Sequence, residues 1–270
     1  NLFMKSLTAK KFLSAILAGA MAFSMTACGN KSDSGNSSSD NKFIVGFDAA
    51  FPPYGYQNEK GEYVGFDLDL AAEVCKRNEW ELVKQPIDWN AKDMELKSGT
   101  ISCIWNGFTM TGREDEYAWT KPYVDNSQVF VVKSDSGITT FDDLSGKSIA
   151  VQTDSSAESA LKDESNAALK DSFKELVIVS DYNTAFMNLD SGAVDAIAMD
   201  IGVAKYQIES RGNGYKMLDE ILSAEQYAVG FALDNTELRD KVDKTLDDMR
   251  SDGTFEKIAE EWNLTDSIIK

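Results

Sequence analysis

From residue 42 to residue 264 the chain alternates short, β-rich apolar runs with stretches of helical spacing, the pattern of βαβ units and parallel sheets. Residues 42–47 read as a strand and residues 54–66 as a hairpin turning at Asn58-Glu59-Lys60-Gly61. Asp67 then stands as the N-cap of a helix whose apolar face is Leu68, Ala71, Ala72 and Cys75. Strands are expected at 80–86 and 101–105, with a helix over 91–97 closed by Gly99 between them and another short helix near Gly112. The pattern then repeats. Strands at 128–132, 148–152, 175–179 and 194–198 alternate with a turn-helix at 141–147 and helices at 155–161, 182–189 and 201–208. A short strand at 216–218, a strand at 226–231 and helices at 237–249 and 255–262 complete the chain. Two similar α/β halves with a returning C-terminal piece leave a cleft between them, and clefts at strand C-termini bind ligands.

The first 41 residues follow another logic. Lys5, Lys10 and Lys11 precede an uncharged apolar run over 12–25, which ends in Thr26 and Ala27 before Cys28. This is a secretory signal, too short and too early to be a spanning helix of the mature protein. Met25-Thr26-Ala27-Cys28 resembles the bacterial lipobox, in which the cysteine becomes a lipidated N-terminus; an incidental cysteine after a cleaved signal is the alternative. Asn1 to Phe3 lie upstream of a start at Met4. Residues 28–41, rich in Ser, Asn, Asp and Gly, read as a flexible tether, reaching roughly 20 Å. Residues 1–27 are therefore assigned as a lipoprotein signal peptide, and the folded part as extracytoplasmic, lipid-anchored to the outer face of the cell membrane.

Composition narrows the chemistry. The 270 residues carry a net charge of −18, and removing residues 1–27 removes three lysines and no acid, which takes it to −21. Nothing in that balance supplies a basic footprint for nucleic acid. There is no histidine, which excludes Ser-His-Asp and Cys-His nucleophiles and every His-ligated metal. Three cysteines make neither a zinc cage nor a disulfide framework. Cys75 and Cys103 fall in the same half and are either a disulfide or two buried thiols. Gly146-Lys147-Ser148 is no phosphate loop, because Phe141 stands where that motif needs its first glycine.

Six pieces in order carry a family resemblance. They are Val45-Gly46-Phe47-Asp48-Ala49-Ala50-Phe51-Pro52-Pro53, Tyr63-Val64-Gly65-Phe66-Asp67-Leu68-Asp69-Leu70-Ala71, Asn106-Gly107-Phe108-Thr109-Met110-Thr111-Gly112-Arg113, Asp142-Asp143-Leu144-Ser145-Gly146-Lys147, Val194-Asp195-Ala196-Ile197-Ala198-Met199-Asp200 and Gly253-Thr254-Phe255. On these the chain resembles the polar-amino-acid-binding lipoproteins of bacterial ABC importers, family 3 of the extracellular solute-binding proteins, such as the glutamine- and histidine-binding proteins. The resemblance implies a two-lobed periplasmic-binding-protein-like α/β fold with two hinge crossovers and the ligand in the interlobe cleft. Lobe 1 would be residues 42–125 with 227–264, and lobe 2 residues 127–223. It also implies a monomer that closes on a free amino acid and delivers it to an ABC permease whose ATPase is a separate chain. No cofactor or metal is implied. Dehydratases acting on aromatic-amino-acid precursors use a similar fold, so a dehydratase-like enzyme is the alternative to a non-enzymatic receptor.

An amino-acid head group needs a cation, an anion and neutral hydrogen-bond partners. Arg113 is the cation candidate, because a guanidinium offers a carboxylate a planar fork; pairing with Glu114 or Glu116 is its alternative. The loop before Arg113 is one residue shorter than the family's. Asp200 closes an apolar strand before a helix, where it either caps that helix or, by the resemblance, pairs with the ligand ammonium. Gly107 and Thr109 resemble positions that give a backbone carbonyl, a hydroxyl and an N–H to the head group. Ser155 and Ser156 open a helix, whose free N–H groups favour an anion, unless they only cap it. By the resemblance, Phe51 and Trp89 match the aromatic positions that sandwich the side-chain stem, and Asp48 and Gln152 read its far end; Trp105 is either core or pocket wall. A buried Asp48 facing a neutral Gln152 favours a side chain that donates protons: an amide, a cation, or the second ammonium of cystine.

Overall fold

The computed structural model describes residues 41–270. The expected signal segment, the lipidation site at Cys28 and all but the last residue of the tether lie outside the described residues. Within them the chain forms a five-stranded sheet, a six-stranded sheet and a small three-stranded sheet, with helices packed against the two larger ones. Its first part runs β1 (Lys42–Phe47), β2 (Ala50–Phe51), β3 (Gly55–Gln57), β4 (Tyr63–Val64), α1 (Phe66–Asn78), β5 (Glu81–Pro86), α2 (Lys92–Lys97), β6 (Cys103–Ile104) and β7 (Ala118–Trp119). The second part runs β8 (Val124–Lys133), β9 (Ser148–Gln152), α3 (Ser156–Lys162), α4 (Ala167–Ser172), β10 (Glu175–Val179), α5 (Tyr182–Ser191), β11 (Ala196–Asp200), α6 (Ile201–Arg211), β12 (Tyr215–Met217) and β13 (Ser223–Tyr227). The last part is β14 (Gly230–Phe231), α7 (Thr236–Ser251) and α8 (Thr254–Glu261).

The first sheet has the order β5-β1-β6-β14-β7, and the second β10-β9-β11-β8-β12, with β13 also paired to β8; the small sheet has the order β2-β3-β4. In each, a central strand lies parallel to both neighbours, β1 to β5 and β6, β9 to β10 and β11. In each, the next strand along is antiparallel: β14 in the first sheet, β8 in the second. The two halves thus share one topology, as a repeated βαβ pattern requires. The chain passes from the first sheet to the second between β7 and β8, and returns between β13 and β14.

Strand alternation builds the core. On β8, Val129 and Val131 face one apolar cluster while Phe130 and Val132 face another. Ala150 on β9 and Ile197 and Met199 on β11 join the first cluster, and Ile149, Val151, Ala196 and Ala198 the second. This sheet is therefore covered on both faces, which explains its almost unbroken apolar strands.

Four local expectations are corrected. Asp67 does not cap α1: the N-cap is Gly65, where a Cβ would lie 2.2 Å from the Tyr54 carbonyl oxygen, and Asp67 is buried within the first turn. The buried face of α1 uses Val74, and Ala72 is exposed. No helix forms near Gly112; its φ of 83° breaks the helical path, and residues 111–116 are turns. The strand expected over 226–231 is two strands, because its ends pair in different sheets, Tyr227 with Val124 and Gly230 with Ile104 and Trp119. The pattern also missed α4, a six-residue helix. Cys75 and Cys103 are buried free thiols, both held protonated by burial. Trp105 is fully buried core.

Candidate functional site

The C-terminal ends of the parallel strands of both sheets point into one cleft. Asp48 and Phe51 follow β1, Trp89 follows β5, and Asn106, Gly107, Thr109 and Arg113 follow β6. Gln152, Ser155 and Ser156 end or follow β9, and Asp200 ends β11. These eleven residues line a cavity with room for about 20 Å³. Ten are the residues singled out from sequence. Asn106 is the addition; it stood in the third motif but carried no chemistry to set it apart, and its buried Oδ1 has no partner.

One end of the cavity is cationic. Arg113 Nη1 donates to the Thr109 carbonyl (3.1 Å) and to Ser156 Oγ (3.0 Å), and Nη2 to the Asp154 carbonyl (3.3 Å). The guanidinium lies 5.3 Å from the Phe108 ring centroid. Among the described residues it forms no ion pair with Glu114, Glu116 or any other carboxylate, so its charge is not neutralised. Ser155 is the N-cap of α3, its hydroxyl accepting from the Glu158 N–H at 3.1 Å.

Two buried carboxylates lie elsewhere in the cavity. Asp200 makes no cap hydrogen bond to α6. Its Oδ2 instead accepts from Asn126 Nδ2 (2.9 Å) and from the Tyr227 hydroxyl. Burial, then the neighbouring Glu225 charge, pushes Asp200 up to about 7. Asp48 accepts from the Ala50 N–H (2.8 Å) and from Gln152 Nε2 (2.8 Å), and burial raises its pKa too. The neutral Gln152 therefore satisfies Asp48 without discharging it. The Thr109 hydroxyl donates to Glu225 Oε1 at 2.7 Å.

The aromatic walls are fixed from behind. Phe51 packs 6.0 Å from Tyr54 and 6.1 Å from Tyr182. Gly107 has φ 55°, and a Cβ there would lie 2.9 Å from Phe51 Cε1, so only glycine fits. Its N–H is held by the Asp67 carboxylate, which also accepts from the Tyr123 hydroxyl at 2.8 Å. The Trp89 Nε1–H donates to the Asp154 carbonyl at 3.2 Å. Asp154 thus receives Trp89, Arg113 and the ammonium of Lys92, all from the first sheet's side. With Gln152 on Asp48 and Tyr206 on Tyr56, these bonds close the cleft. An unneutralised guanidinium and buried carboxylates, together with the Phe51 and Trp89 walls of the same cavity, complement the charges of a zwitterion.

Residues 43–265 match the bacterial extracellular solute-binding proteins, family 3. The chain is 30% identical to the arginine-binding extracellular protein ArtP of Bacillus subtilis, over 94% of this chain and 98% of that protein. Among solved structures it resembles the substrate-binding protein of an ABC uptake transporter from Streptococcus pneumoniae, with bound histidine. That match has TM-score 0.82 and 34% identity over 86% of this chain and 96% of the other. It also resembles the ancestral amino acid-binding protein AncCDT-1, a precursor of cyclohexadienyl dehydratase, with TM-score 0.74 and 26% identity over 82% and 95%.

Proposed function

This chain belongs to family 3 of the bacterial extracellular solute-binding proteins, and on that footing we propose that it is an extracytoplasmic receptor that binds a polar or basic amino acid by lobe closure and delivers it to an ABC permease. The observation that carries the reading is the presence, in the lining of one cavity, of both an unneutralised Arg113 and a buried Asp200. Arg113 takes the α-carboxylate, with Ser156 beside it, and Asp200 takes the α-ammonium. The Gly107 carbonyl and Thr109 complete the head-group contacts, Ser155 shapes the carboxylate end, and Phe51 and Trp89 hold the side-chain stem. Asp48 and Gln152 face its far end. Past Asp48 and Trp89 the space opens onto Asp88, Glu95 and Asp181, with no Lys or Arg among its described lining residues. That environment favours an amide, a cation or the second ammonium of cystine, and disfavours glutamate and aspartate.

Arg113 lies on the first lobe (42–125 with 227–264) and Asp200 on the second (127–223), so only the closed form makes both contacts. Shifting the closed fraction from 1:99 to 99:1 takes about 5.5 kcal/mol of differential binding, a demand that two desolvated charge pairs meet. The receptor works as a monomer, held at the outer face of the membrane by a lipid on Cys28 and the 28–41 tether, beside a permease with its own ATPase.

The test is a melting-temperature screen of the ligand-stripped chain against the twenty amino acids, cystine and ornithine. A rise with one or a few polar or basic amino acids supports the receptor, since tight binding to the native state raises the transition by mass action. A best response to glutamate or aspartate overturns the side-chain assignment. The resemblance to a dehydratase precursor keeps an enzyme as the alternative; mass spectrometry showing turnover of the bound compound would favour it.

A further inference from the structure

Next to Asp200 lies a carboxylate to which the sequence reading gave no role. Glu225, on the returning strand β13, is 8% exposed and stands opposite Asn126 of β8. Its Oε1 accepts three hydrogen bonds of 2.7 Å, from Thr109 Oγ1, Asn126 Nδ2 and Gln128 Nε2. The same Asn126 amide donates to Asp200, so one amide joins two buried acids. The other ionisable groups facing this pair are the phenols of Tyr227 on β13, Tyr182 on α5 and Tyr54 before β3, and Arg113, which lines the cavity with Asp200 and a second pocket with Glu225 but forms an ion pair with neither. Two like charges in a dry site repel strongly and call for a positive partner.

Thr109 has one hydroxyl proton, and Glu225 takes it. The Thr109 oxygen is left with lone pairs alone, which receive an N–H and repel a carboxylate oxygen. We propose that Glu225 is the positioning residue for the ammonium half of the site: it fixes Thr109 as an acceptor and doubles the negative charge behind Asp200, so that the cavity selects a protonated α-amine. This rests on the amino-acid reading above.

The test compares wild type with Glu225→Gln, which keeps the shape and removes the charge. Both are titrated calorimetrically with L-arginine, L-histidine and L-glutamine, and with their des-amino analogues 5-guanidinopentanoate, imidazolepropionate and glutaramate, from pH 5.5 to 8.5. The variant should bind the amino acid about 10- to 100-fold more weakly at pH 8.5 and the des-amino analogue less than about 3-fold more weakly, a loss of roughly 1–3 kcal/mol confined to the ammonium. Its affinity for the amino acid should also hold to lower pH than in wild type, because Asp200 no longer titrates beside a second charge. Equal losses for both ligands, or none for either, overturn the proposal. Thr109→Val is the second variant, with the same selective loss expected should Glu225→Gln not fold. A wild-type chain that binds none of the three amino acids removes the amino-acid reading itself, and shows it before any variant is made.

Discussion

Lys92 and Asp154 form an ion pair across the cleft, the lysine 2% exposed and the aspartate 53%. Lys92 stands at the start of α2 and also lies 5.1 Å from the Trp89 ring centroid. Asp154 holds a left-handed backbone conformation, φ 55°, that turns its carbonyl toward Trp89 and Arg113. Both lobes are thus clasped by protein groups alone, outside the cavity. Lys92→Met keeps the stem and removes the charge. With one partner half exposed, the pair is worth about 1–2 kcal/mol, a factor of roughly 5–30. Calorimetry should show an affinity weaker by that factor. If the affinity does not move, the clasp has no part in closure.

Arg113→Ala should weaken amino-acid binding by two to four powers of ten, because it leaves a desolvated carboxylate without its partner, at about 3–5 kcal/mol. Arg113→Lys should recover only part of the loss, since an ammonium lacks the planar fork that meets both oxygens of a carboxylate while a further N–H reaches the Ser156 hydroxyl. Circular dichroism and calorimetry on the same samples check this. An affinity equal to wild type in the alanine variant would falsify the assignment.

Asp67 and Asp200 make the unliganded protein respond to pH. Burial raises both from 3.8 to about 7. Between those values the folded chain holds protons that the unfolded chain has lost. Their stabilising contribution is therefore complete below about pH 4 and is lost as pH rises through about 7, by up to about 1.4 kcal/mol per group per pH unit. Asp252, held at about 2 by Arg77, acts in the opposite direction below about pH 4. The melting temperature of the ligand-free chain should peak near pH 4–5 and fall toward 7. A bound amino acid should flatten the Asp200 part, since its ammonium favours the ionised form. A ligand-free profile that rises steadily from pH 4 to 7 contradicts this.

Gly107→Ala should cost about 1–3 kcal/mol of stability, from a positive φ and an overpacked Cβ. The methyl meets Phe51 and Tyr227, so relief pushes Phe51 into the cavity and binding weakens as well. Urea unfolding and calorimetry read the two effects separately; a loss of stability with full affinity would show that Phe51 does not wall the site.

The sequence was informative wherever a motif sits at a strand end. Asp48, Gly107, Arg113, Gln152 and Asp200 stand at the turns where parallel strands stop, and strand position alone brings them to one cleft. It was less informative where a residue's partner is distant in the chain. Asp67 looked like a cap because acids favour helix starts, yet its carboxylate holds Gly107, 40 residues on. Lys92 sits in a polar run and shows no sign of burial. Glu225 shares its face of β13 with Ser223 and Tyr227, and that period of two was the one available hint that it faces inward. The run 226–231 gave no hint of its break, because a strand that changes sheets looks apolar throughout.

The strand order has a consequence for how the molecule is made. The second sheet takes its strands from one continuous stretch, β8 to β13, whereas the first is unfinished until β14, which follows all of them. Closing the first sheet therefore waits on a contact between Ile104 and Gly230, spanning more than a hundred residues. Such long-range pairings are slow to form. In a chain that emerges N-terminus first, the half that appears first is thus completed last, its apolar strands uncovered in the meantime and open to chaperones or aggregation. Pulse-labelled hydrogen exchange during refolding should show protection in β9 and β11 before β1 and β6; the reverse order would mean that the first sheet closes without its late strand.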